Sequence, residues 1–183
     1  MKKLIILCLV IIGVIYSVFL NDYLKKQRLK EAINNDQLKI VKTIIKENNW
    51  LNISLTKYSD SPLELAVWSG SKSIVKFLIE EGAIGKKGRS KGVIFEVVET
   101  KSFNDEDTVE MIKYLMGKGF LLNKLTGYGN SLLHIAVHVK KKRTIEFLIK
   151  NGVKPIKNKQ DQLLPVDLVE NKQLLKHQEE WCY

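Results

Sequence analysis

Residues 61–82 read SPLELAVWSGSKSIVKFLIEEG, and residues 131–152 read SLLHIAVHVKKKRTIEFLIKNG. In both, an alanine (Ala66, Ala136) precedes a leucine (Leu78, Leu148) by 12 positions and a glycine (Gly82, Gly152) by 16. A weaker copy, RLKEAINNDQLKIVKTIIKEN at 28–48, keeps the spacings from Ala32 to Ile44 and to Asn48. There Asn48 takes the place of the glycine, as suits a left-handed helix end. A divergent copy lies between the clear ones, GVIFEVVETKSFNDEDTVEMIKYLMGKG at 92–119. Val97, Leu115 and Gly119 hold the three marker positions, with about six extra residues around 101–107. Val169 in LPVDLV marks a truncated last copy. Self-similarity at one period signals a repeat architecture. The units fall at about 24–56, 57–88, 89–126, 127–159 and 160–183.

Each unit reads as two helices. Ser61-Pro62 starts one with a hydroxyl cap and proline in the first turn. Leu63, Ala66 and Val67 form its inner stripe, and the small alanine permits close helix approach. Ile74, Val75, Leu78 and Ile79 make an amphipathic stripe that predicts a second helix over 73–81. The same pattern predicts helices over 39–47 and 144–151. A lone pair cannot bury its apolar face, so neighbours must stack. The expected fold is an all-α solenoid of about five helix-turn-helix units.

This pattern resembles the ankyrin repeat family. The T-P-L-H-x-A signature of that family appears as Ser61-Pro62-Leu63-Glu64-Leu65-Ala66 and Ser131-Leu132-Leu133-His134-Ile135-Ala136. The G-A step after the second helix appears as Gly82-Ala83, and in altered form as Gly119-Phe120 and Gly152-Val153. The resemblance implies a concave protein-binding surface. Its candidate residues are Asn34, Trp68, Glu99 and His138, each two after the signature position. Tyr58, Arg89, Lys91 and Tyr128 are the finger-loop candidates. It also implies that His134 hydrogen-bonds neighbouring backbone, and that Trp181 and Tyr183 help to cap the last unit.

The N-terminus is of another kind. Residues 4–20, LIILCLVIIGVIYSVFL, contain only Gly13 and Ser17 outside the apolar set, and Lys2 and Lys3 precede them. Seventeen helical residues span about 25 Å, the short end of what crosses a bilayer core. Residues 1–22 therefore read as a signal anchor or signal peptide, ahead of a repeat domain at 23–183. The expected placement is single-pass in a bacterial inner membrane with the repeats in the periplasm. Cys8 and Cys182 are too far apart in kind and place to suggest an intrachain bridge.

The formal net charge is +10. All but three of the 30 basic residues are lysine, the exceptions being Arg28, Arg89 and Arg143. Base and phosphate readers favour arginine. Scattered lysine reads as solubilising charge, so no nucleic-acid partner is expected and an acidic protein surface is. The GKKGRSKG stretch at 85–92 lacks the spacing of a phosphate loop and reads as an exposed basic hairpin. Asp105-Glu106-Asp107 reads as a solvated helix start. His134 and His138 are spaced i, i+4, but the residues between them are Ile-Ala-Val, without a catalytic glutamate. No catalytic residue, cofactor or metal is expected. By family analogy, the expected role is an immunity protein against an antibacterial phospholipase-type toxin. The alternatives are a periplasmic scaffold for an oxidative-stress enzyme and a host-directed effector.

Overall fold

The computed structural model describes residues 2–55, 60–83, 92–157 and 159, with only the backbone of residues 2–5 and Cys8. The expectations for Tyr58, Arg89, Lys91, the 85–92 hairpin, the unit at 160–183, Trp181 and Tyr183 lie outside the described residues. Among the described residues eight helices follow one another: α1 (Lys2–Asn34), α2 (Leu38–Asn48), α3 (Pro62–Ser69), α4 (Lys72–Glu80), α5 (Val93–Glu99), α6 (Asp105–Gly117), α7 (Leu132–His138) and α8 (Lys142–Lys150). Among the described residues there is no strand. The helices pair as four units. First helices pack on first helices, in the order α1, α3, α5, α7. The signature positions Ala32, Ala66, Val97 and Ala136 are all fully buried between them.

Local chemistry sets the helix ends. The Ser61 hydroxyl accepts from the Glu64 N–H, and the Glu64 carboxylate accepts from the Ser61 N–H at 2.7 Å. This capping box satisfies two backbone donors at once. Gly82, Gly119 and Gly152 sit at φ +90, +86 and +80 just past the second helices. In the first unit Asn49 (φ +53) has this role, one residue later than the Asn48 expected. Four positions after the signature alanine the backbone is left-handed again, at Asp36, Gly70 and Lys140. A Cβ at Gly70 would also come within 3.0 Å of the Ser102 carbonyl oxygen, so glycine is required there by conformation and by space.

The extra residues of the third unit fall in two places. Helix α6 has 13 residues where α4 and α8 have 9. The turn before it, 100–104, is also longer. Asp105-Glu106-Asp107 does start this helix, capped by Asn104, whose side chain accepts from the Asp107 N–H at 2.8 Å. The triplet is nevertheless not merely solvated, because its acids tie the third unit to both neighbours. Asp107 pairs with Lys72 at 2.6 Å, and Glu106 with Arg143. Asp105 accepts from the Arg143 N–H (2.7 Å), the Thr144 N–H (2.9 Å) and the Thr144 hydroxyl (2.6 Å). A carboxylate thus caps α8 from the preceding unit, where α8 has no side-chain cap of its own.

The lysines, too, are less scattered than their sequence suggests. Two positions before each marker leucine or isoleucine stand Lys42, Lys76 and Lys113. One position before it in the next unit stands an aromatic ring. Lys42 lies over Phe77 (5.3 Å), Lys76 over Tyr114 (5.6 Å) and Lys113 over Phe147 (5.6 Å). The ammoniums therefore form a ladder across the second helices, each resting on the ring of the following unit.

Helix α1 continues without interruption from the apolar block into the first unit. Leu29, Ala32 and Ile33 are buried in the core, whereas Ile6, Leu7 and the large apolar side chains from Leu9 to Leu20 are exposed all round. Among the described residues no helix is long and apolar enough to cross a membrane. The 4–20 block includes Leu4, Ile5 and Cys8, whose side chains lie outside that description.

Candidate protein-binding face

Hydrogen bonds join the C-terminal ends of the first helices in series. The Ser71 hydroxyl donates to the Ile33 carbonyl at 3.0 Å, the Ser102 hydroxyl to the Trp68 carbonyl at 2.6 Å, and the Lys141 ammonium to the Thr100 carbonyl at 2.7 Å. The first helices thus run parallel, with their turn ends side by side. Asn34, Trp68, Glu99 and His138 occupy the same register position near those ends, so they form one row across four units. Asn34 and His138 are exposed, Glu99 is half-buried, and Trp68 is 43% exposed. Partly exposed aromatics of this kind are enriched among binding hot spots.

Tyr128 is 59% exposed but stands at the other end of α7 from His138, before the Ser131 cap. The structure thus separates it from the row.

His134 belongs to the helix cap. It is buried, and its Nδ1 accepts from the Ser131 N–H at 3.1 Å. The i, i+4 histidine pair is therefore one capping residue and one surface residue. Among the described residues no group of three or more His, Cys, Asp or Glu could hold a metal.

Sequence reading located the insertion but missed its contact with Trp68. Ser102 holds the Trp68 carbonyl, and exposed Lys101 adjoins it. The bonding partner of an insertion cannot be read from its own sequence. The charge of the row also differs from that of the chain. The row carries one carboxylate and no lysine, while the lysine ladder lies on the second helices.

The comparison with known families meets this geometry directly. The family model described as ankyrin repeat matches residues 128–161, which hold α7, α8 and the turn between them. Residues 128–161 are thus similar to an ankyrin repeat. A relative is the phosphocholine transferase AnkX of Legionella pneumophila, 28% identical over 133 residues. The match covers 72% of this chain and 14% of that protein. Ankyrin repeats indicate a protein-interaction module, and the Trp68 row is the candidate face among the described residues.

Proposed function

We propose that this ankyrin chain is a non-enzymatic binding module held at a bacterial inner membrane by residues 4–20, with its repeats in the periplasm. The observation that carries the reading is the all-round exposure of apolar side chains from Ile6 to Leu20 on a helix that turns abruptly into core at Leu29. Exposed apolar surface on every side of a helix has no stable home in water. The partner is a protein seated on the Trp68 row, and within this reading it is an exported phospholipase-type toxin that the module neutralises. Family resemblance supports that last assignment.

The test has two parts. The full chain should float with phosphatidylcholine vesicles. It should also co-purify with the toxin encoded beside it and protect cells that meet that toxin. Trp68→Ala should weaken binding by at least tenfold, about 1.4 kcal/mol, with unchanged helicity. Loss of helicity would move Trp68 from the binding face to the core, and absence of any binding to the neighbouring product would end the toxin assignment.

A further inference from the structure

We infer that the loop edge around the fourth unit lies on the membrane surface, with Leu121, Leu125 and Tyr128 in the lipid headgroup layer. The inference rests on the reading that residues 4–20 enter the bilayer, and it adds where these described loops must then sit.

The first observation is the continuity of α1. It is one helix from Lys2 to Asn34, and residues 21–34 contain neither proline nor glycine to bend it. The apolar block and the first repeat helix therefore share an axis. The second is the parallel stacking of the first helices, whose C-terminal ends are bonded in series from Ile33 to Ser71, Trp68 to Ser102 and Thr100 to Lys141. Their N-terminal ends must all lie on the opposite side, towards the apolar block. Helices stacked side by side on a membrane-spanning helix extend along the membrane plane, so the four described units sit at one height above it.

That height is small. Pro62 starts α3 four positions before Ala66, level with Arg28, which is four before Ala32. Arg28 is eight residues beyond Leu20, about 12 Å along the helix. The loop that leads into α7 falls in this interval, and the headgroup layer fills roughly 5–8 Å of it.

The third observation is composition. Beyond α1, the large apolar side chains left exposed among the described residues are Trp68, Leu121, Leu125, Tyr128 and Ile156. Trp68 is at the far end. The other four all lie in the loops at the near end, where Leu125, Val153 and Ile156 line a shallow cavity of about 250 Å³. Lys124, Lys154, Lys157 and Lys159 are exposed in the same loops. Neither 118–130 nor 152–159 contains an acidic residue. Apolar and aromatic groups among lysines, free of carboxylates, suit the boundary of a bilayer bearing anionic lipid.

The experiment uses the full chain with Cys8→Ser and Cys182→Ser, carrying a fluorophore at Leu121→Cys, at Tyr128→Cys or, at the turn end, at Lys140→Cys. Each is reconstituted into phosphatidylcholine–phosphatidylglycerol vesicles whose acyl chains are brominated near the headgroup. Labels at 121 and 128 should lose fluorescence while the label at 140 keeps it. Failure of the chain to enter the vesicles at all would overturn the anchor reading. Chain that enters, with 121 and 128 unquenched or with 140 quenched equally, would overturn the edge contact and leave the anchor standing.

Discussion

Lys141 donates from a buried ammonium to the carbonyl oxygen of Thr100 at 2.7 Å, and Thr108 Oγ1 accepts from the same group at 2.8 Å. In the second unit the equivalent residue is Ser71, whose short side chain reaches the Ile33 carbonyl of the preceding unit. In the third unit the acceptor is Thr100, three residues past Val97, whereas Ile33 is one past Ala32, and a longer donor meets it. The lysine is 8% exposed, so its charge is held at a desolvation cost that the two acceptors and nearby Asp105 offset only in part.

Restoring the repeat consensus here should therefore do harm. Lys141→Ser leaves the Thr100 carbonyl without its donor, and a buried acceptor so orphaned costs about 1–3 kcal/mol. The urea midpoint should fall with an unchanged slope. A midpoint equal to the parent's would show that the lysine contributes nothing at the junction.

Alkaline pH should separate this lysine from the others. Burial pushes the Lys141 ammonium below its ordinary 10.5. Between the folded and the unfolded value the unfolded chain binds more protons, so stability rises with pH across that window. The rise, read as the urea midpoint from pH 8 to 10.5, should disappear in Lys141→Ser.

At the other extreme, acid should loosen the joint between the second and third units. Lys72 and Lys76 donate to Glu110 at 2.8 and 2.7 Å and hold its carboxyl down at about 2. A depressed carboxyl contributes stability that is complete above its unfolded 4.5 and lost as pH falls through about 2. The groups are half exposed, so the contribution is small and weakens with salt. Glu110→Gln should reduce the acid sensitivity of amide-exchange protection in α6, and an identical profile would remove the pair from the account.

The lysine ladder makes a prediction about coupling. In a double-mutant cycle of Lys113→Ala and Phe147→Ala, the interaction should be about 0.5–1 kcal/mol, as for cation–π pairs near the surface. Additive single effects would make the stacked geometry incidental.

The sequence by itself determined the unit and the four copies that fall within the described residues. The alanine-to-leucine and alanine-to-glycine intervals, the Ser61-Pro62 start and the histidine of Ser131–Ala136 are local patterns, and local backbone chemistry obeys them. Small errors, such as Asn48 for Asn49, are shifts of one residue at a helix end. Only the tertiary structure decided how units are joined. Lys141 to Thr100, Asp105 to Thr144 and Lys72 to Asp107 link residues 41, 39 and 35 positions apart. Such contacts depend on which side chains a stack brings face to face, and the inserted turn changed that register in one unit alone. The same holds for the candidate face. Each member of the Trp68 row could be read from its own repeat, but its separation from Tyr128 follows from the parallel packing of α1, α3, α5 and α7, which no single repeat encodes.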